Sequence, residues 1–162
     1  MSSDSTLSTC KLIDPHEGMG GQITFNRLGH PYRLRQIKKV RRWLTTAIEY
    51  HGFELGEVAI IFCTDEELLQ LNQEALAHDF YTDIITFDHC VGDLLSGDLY
   101  ISIDRVKENA IQHKTTTYNE LLRVMVHGVL HLCGFGDKSE EEARTMRAQE
   151  NQWLHVFHVE PK

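Results

Sequence analysis

Thr117-Tyr-Asn-Glu120-Leu-Leu-Arg-Val-Met-Val-His127-Gly-Val-Leu-His131-Leu-Cys-Gly134-Phe-Gly-Asp137 is the stretch on which the reading of this chain turns. Thr117 and Glu120 have the spacing of a capping box, so a helix is predicted to open there. His127 and His131 are four residues apart, about one helical turn, and share a face. Two imidazoles so placed can reach one metal ion. Gly134 offers a backbone that can leave the helix in a left-handed conformation. The turn could then return Asp137 as a third ligand. Three N/O ligands and one open position form the pattern of catalytic zinc rather than structural zinc. With 10 histidines in 162 residues, the pair alone carries little weight. The glycine and the aspartate at the right offset give it specificity.

The spacing H-x3-H-x2-G-x2-D is similar to the metzincin layout, with Asp in place of the last His. A zinc protease carries Glu directly after the first His, as general base. Here that position is Gly128. The substitution argues against peptide hydrolysis by the usual route and leaves the ligands intact. The base is then the metal-activated water itself or a nearby carboxylate; Asp83 is a candidate but reads more readily as a strand-end cap.

Outward from this helix, periodicity predicts the remaining elements. Gln22 to Asn26 reads as a short strand, and Tyr32 to Tyr50 as an amphipathic helix. Glu57 to Cys63 is an apolar run expected as a buried strand. Thr64-Asp-Glu-Glu67 is a capping box that opens a helix to about Leu76. Tyr81 to Phe87 and Asp98 to Ile103 read as strands, with a turn marked by Gly92, Ser96 and Gly97. Asp104 caps a short helix to about His113. Ser139-Glu-Glu-Glu142 opens a last helix to about Trp153. The order β-α-β-α-β-β-α-α-α predicts a single α+β domain: a mixed four-stranded sheet, about five helices, and the histidine pair on a core helix. Residues 1–21 are expected to be a flexible leader, and 22–158 one metal-dependent hydrolase-like domain.

Length and composition fit one globular domain, with 41% hydrophobic and 25% charged residues. No apolar run approaches membrane-spanning length, and no signal peptide is visible. Cys10, Cys63, Cys90 and Cys133 form no C-x-x-C pair. Reduced thiols in a cytoplasmic protein are therefore expected, with Cys63 and Cys133 in the core. His155 and His158 read as exposed, His78 and His89 as exposed loop histidines at strand ends that could approach the site, and Trp43 and Trp153 as core or edge. The net charge of −8 has the wrong sign for a generic nucleic-acid binder. Within Arg33 to Arg42, however, Arg35, Lys38, Lys39 and Arg42 are expected to form one basic stripe on a helix. The stripe is either a solvated face or an RNA-binding surface.

With these residues in view, the chain resembles the YbeY family of metal-dependent endoribonucleases that mature ribosomal RNA. The likeness spans about residues 57–154. The signature H-G-x-L-H-L-x-G-Y-D-H is matched by His127-Gly128-Val-Leu130-His131-Leu132-Cys-Gly134-Phe135-Gly136-Asp137. Leu71-Asn72 and Thr82-Asp83-Ile-Ile-Thr86-Phe87 are similar to the family's L-N and T-D-V-L-S-F segments. Gly97-Asp98-Leu-Tyr-Ile101-Ser102 is similar to its G-D-I-x-I-S strand. The chain departs twice. Asp137 stands where most members carry His, which lowers the site's net charge by one. A basic residue that the family places shortly after L-N falls at Leu76.

The resemblance implies an endoribonuclease of single-stranded RNA, acting at the 3′ end of small-subunit ribosomal RNA and in ribosome quality control. It implies one ion, zinc or another divalent metal, on His127, His131 and Asp137, acting through a bound water. It implies ribosomal RNA as partner, with ribosomal proteins or an assembly GTPase beside it, and no membrane. The alternatives are a metal-bound ribosome-assembly factor that does not cut, and a metallopeptidase.

Overall fold

The computed structural model describes residues 20–78 and 81–159. Along the chain run β1 (Gln22–Leu28), α1 (Ile37–Tyr50), β2 (Glu54–Cys63), α2 (Asp65–Leu76), β3 (Ile84–Asp88), β4 (Leu94–Ser102), α3 (Ile103–Gln112), α4 (Thr117–Leu132) and α5 (Glu140–Val159). The strands lie in the order β1-β2-β4-β3. β1 and β4 flank β2 in parallel, and β3 joins β4 antiparallel, leaving β3 at an edge. Parallel neighbours need crossovers. The α1 segment makes the first, and the passage through α2 and β3 makes the second. This is the mixed four-stranded α+β domain expected. Of the leader, residues 1–19 lie outside the described residues, while the Gly21 N–H already bonds to the Leu55 carbonyl at 3.1 Å.

Alternation along the strands sets the layers. Val58, Ile60 and Phe62 of β2, with Leu95, Leu99 and Ile101 of β4, point into the main core. Their neighbours turn to the other face, where Cys63, Leu68 and Ile85 form a smaller cluster beneath α2. α4 is apolar on every side but the stripe of Arg123, His127 and His131: Leu121, Leu122, Val124, Met125, Val126, Val129, Leu130 and Leu132 are all buried. A helix of that kind belongs inside a fold. It packs against the sheet and α1, α3 and α5. Each such side chain contributes about 1.5–3 kcal/mol when fully buried. Trp43 and Trp153 are core residues, tied by a 2.7 Å bond from the Trp43 Nε1–H to the Trp153 carbonyl. Cys63, Cys90 and Cys133 are unpaired thiols. Burial pushes Cys63 and Cys133 up to about 12, so they stay protonated.

Several boundaries differ from expectation, each for a local reason. α1 starts at Ile37, not Tyr32, because Gln36 adopts a left-handed φ of 57° and Tyr32 packs edge-on against Phe62. β3 starts at Ile84 rather than Tyr81, whose hydroxyl bonds to Glu66 of α2 at 2.8 Å. Ser96 and Gly97 belong to β4, not to a turn: the Ser96 hydroxyl accepts the Glu57 N–H, and Gly97 pairs with Val58. Ser102, not Asp104, caps α3, and Thr116, not Thr117, caps α4. Glu120 is consequently no capping residue but is buried, 3.4 Å from His113. The boxes at Thr64 and Ser139 both form. α5 outruns Trp153 to Val159, because Phe157 is needed against Trp43.

α4 approaches the sheet through Gly128. A Cβ there would lie 2.3 Å from Leu99 Cδ2 and 2.8 Å from Ile84 Cδ1. Gly128→Ala should therefore destabilise the protein by roughly 1–3 kcal/mol of overpacking, less what alanine returns in helix propensity. Urea unfolding is expected to show a lower midpoint at unchanged slope. An unchanged midpoint would show that this contact does not limit the packing.

Candidate metal centre

The site is built where α4 stops. Cys133 ends the helix and Gly134 follows with φ of +103°, a conformation that side-chain-bearing residues avoid. The Phe135 N–H then reaches back to the Leu130 carbonyl at 3.0 Å, and the Gly134 N–H to that of His131 at 2.9 Å. These are the two bonds of a Schellman turn. The turn has two effects. It points the Phe135 carbonyl at His131 Nδ1, 2.9 Å away, and it carries Asp137 back over the helix end.

There Asp137 Oδ2 lies 3.2 Å from His131 Nε2 and 3.4 Å from His127 Nε2. The two imidazole rings are 4.5 Å apart and nearly perpendicular. One donor atom from each residue falls within 4.8 Å of the others, and no other such trio occurs among the described residues. Both Nδ1 atoms already face acceptors: Glu150 Oε2 at 2.6 Å from His127, and the Phe135 carbonyl from His131. An Nδ1–H aimed at each acceptor leaves both Nε2 lone pairs directed at Asp137. Two neutral imidazoles and one carboxylate converging in this way fit a divalent cation.

The trio sits in an open cleft of about 670 Å³, also lined by Leu76, His78, Asp83, Thr86, Asp88 and Lys138. The outer edge of β3 forms one wall. Leu76 is 42% exposed on that surface and makes an apolar patch on the cleft wall. His78 is exposed and lines the cleft. His89 does not line it and pairs instead with Asp98 at 3.1 Å. His155 and His158 are exposed. Desolvation raises Asp83 above the usual carboxylate range, against the pull of the His127 charge. For His127, burial opposes the charged form, but the hydrogen bond and charge of Glu150, with Asp83 and Asp137, outweigh it and raise the pKa. Gly128 faces the sheet, so a glutamate there would be driven into Leu99 rather than towards the metal ligands.

The basic stripe does not form as one face. Arg35 precedes α1, its guanidinium 4.4 Å above the Tyr118 ring. Lys39 is only 8% exposed, with Nζ 4.3 Å over the Phe157 ring, because its helical phase borders the apolar side of α1. Lys38 and Arg42 are exposed. Tyr118 lies thirteen residues before His131 on α4, so Arg35 is on the order of 20 Å from the trio at 1.5 Å rise per residue.

The sequence reading missed Glu150, whose Oε1 accepts from the Arg123 guanidinium at 2.9 Å. A signal was present. Met146, Glu150, Trp153, Leu154 and Phe157 share the buried stripe of α5, and a carboxylate at such a position needs a partner.

Two outcomes are expected. Gly134→Ala should weaken zinc binding, because its strained φ, at about 1–3 kcal/mol, displaces Phe135 and Asp137 together; wild-type affinity by competition titration would contradict this. Zinc affinity should also fall on acidification from about pH 8 to about pH 6, since a raised His127 pKa makes protons compete above the ordinary value of about 6.5. In the metal-free protein the same shift favours folding below that ordinary value, and the contribution is lost as pH rises through the folded-state pKa. Affinity independent of pH over that range would refute the assignment.

The comparisons with known proteins agree with this geometry. The model of the family described as Endoribonuclease YbeY matches residues 26–158. A protein of that name from Christiangramia forsetii is 48% identical over 140 residues, covering 86% of this chain and 97% of its own. The Bacteroides thetaiotaomicron protein is 48% identical over 124 residues, covering 75% of this chain and 90% of its own. A Thermotoga maritima protein solved in solution shares the fold, with TM-score 0.60 at 24% identity over 83% of this chain and 88% of its own. Sequence, fold and the converging His127, His131 and Asp137 thus agree, and the chain belongs to the YbeY endoribonuclease family.

Proposed function

We propose that this chain is a metal-dependent endoribonuclease that cuts single-stranded RNA during maturation of the 3′ end of small-subunit ribosomal RNA, and acts in ribosome quality control. The observation that supports the reading best is the convergence of His127 Nε2, His131 Nε2 and Asp137 Oδ2 at the floor of an open cleft. We assign these three as ligands of one divalent ion, zinc being the choice that suits two imidazoles and a carboxylate. Such an ion supplies Lewis acidity: it makes a water nucleophilic near neutral pH and polarises the phosphoryl group.

The protein's own residues do the rest. Glu150 and the Phe135 carbonyl hold the imidazoles with Nε2 forward. Lys138 is the ammonium on the cleft wall and would take a phosphate oxygen of the scissile link, where Leu76 cannot; His78 lines the same cleft. Asp83, whose pKa burial raises, lines the same cleft and would be the carboxyl that takes or gives a proton there. Arg35, Lys38 and Arg42 would hold RNA several nucleotides from the cut. Lys39 stays in this group only through its place in the sequence, because its ammonium is committed to Phe157.

No helix among the described residues is long and apolar enough to cross a membrane. We place the protein in the cytoplasm, with ribosomal RNA as substrate and ribosomal proteins or an assembly GTPase as partners. The apolar Leu76 in the cleft favours a second reading, an assembly factor that grips RNA without cutting. The Gly128 contact with Leu99 disfavours the metallopeptidase.

Metal-loaded protein and His131→Ala, prepared identically, are to be incubated with labelled precursor of the small-subunit ribosomal RNA 3′ end. Wild type should cleave, and the variant should lose the metal and the activity while keeping its fold. Equal cleavage by both would refute the site. Salt-sensitive binding with no cleavage by wild type would favour the assembly factor.

A further inference from the structure

We propose that Glu150 is a positioning residue of the metal centre: with Arg123 behind it, its carboxylate fixes the tautomer and direction of His127 and so sets the affinity of the site from α5. The inference rests on the reading that His127 holds the metal.

One carboxylate is shared, oxygen by oxygen, between two residues of α4. Oε2 meets His127 Nδ1 at 2.6 Å, and Oε1 meets Arg123 Nη1 at 2.9 Å. Arg123 and His127 are one helical turn apart and therefore project the same way. Glu150 docks on both from the facing helix and is only 5% exposed. Arg147, a turn earlier on α5, stands 3.8 Å from the same Oε1. Two other carboxyl groups, Asp83 and Glu120, line the small cavity of about 150 Å³ behind His127. Of the three, Glu150 is the one hydrogen-bonded to the imidazole.

A plain structural tie between α4 and α5 would be satisfied by the guanidinium alone. Here the shorter bond goes to the histidine. Arg123 occupies Oε1, so Glu150 can neither rotate away from Nδ1 nor swing round to compete for the ion. The Nδ1 proton of His127 is thereby held towards Glu150, and the Nε2 lone pair is left for the metal. A carboxylate behind an imidazole also strengthens it as a donor more than a neutral carbonyl does. The two histidines are accordingly unequal: His127 is backed by charge, and His131 by the Phe135 carbonyl.

The test reads the metal and the ring directly, without RNA. In the zinc-loaded wild type, heteronuclear NMR of the imidazoles should show His127 with an exchange-protected Nδ1 proton. Glu150→Gln should lose that protection, and chelator competition should show a zinc affinity lower by about 10–100-fold. Circular dichroism should show the metal-free fold retained. Arg123→Gln removes the inter-helix ion pair but keeps the carboxylate that accepts from His127 Nδ1, so it should lower the melting temperature by more, and the zinc affinity by less, than Glu150→Gln does. A proton on Nε2 of His127 in the zinc-loaded wild type would overturn the proposal without any variant. So would wild-type zinc affinity in Glu150→Gln, or zinc losses in the two variants that merely follow their losses of stability. Zinc retained in His131→Ala would instead refute the metal site itself, which keeps the two failures apart.

Discussion

The rest of this molecule depends on how one buried helix ends. α4 is buried along most of its length and keeps one polar stripe, Arg123, His127 and His131. It stops at Cys133 because Gly134 takes a backbone conformation closed to other residues, and the two returning hydrogen bonds of the Schellman turn satisfy carbonyls of the last turn. The same few atoms that end the helix aim the Phe135 carbonyl at His131 and bring Asp137 over the His127–His131 face. Termination and site construction are one event.

Packing explains why the helix can carry polar ligands at all. Its long buried stretch is anchored by Leu121 to Leu132 against the sheet and three helices, and Gly128 lets the backbone approach Leu99 and Ile84. The histidines are partly buried at the one rim where the cleft opens. The electrostatics divide along the same line. On the inner side Glu150, behind His127, lies between Arg123 and Arg147. On the outer side Asp137, Asp88 and Lys138 face water, where the charges of a substrate are met.

Much of this was legible in the sequence because the signals were local. The His127/His131 spacing, the turn glycine and Asp137 are all contained in one segment, and element order followed from periodicity and capping boxes. What failed was whatever depended on distant partners. Arg35 looked helical until Tyr118, far along the chain, drew it off the start of α1. Lys39 looked solvated because the Phe157 ring that covers it lies on the last helix. Ser96 and Gly97 looked like a turn because their pairing with β2 is non-local. Glu150 was hidden for the same reason, although its place on the buried stripe of α5 was visible.

The three converging donors come from eleven consecutive residues, 127 to 137, whereas Glu150 belongs to a helix that follows them. Contacts so close in sequence close quickly, while those across the sheet and to α5 carry the entropy of longer loops. As the chain leaves the ribosome, the donor set can assemble once α4 and its turn have formed. The clamp on His127 arrives only when α5 has been made and has docked. The converging trio is thus local in sequence, whereas the carboxylate behind His127 depends on a helix docked from further along the chain.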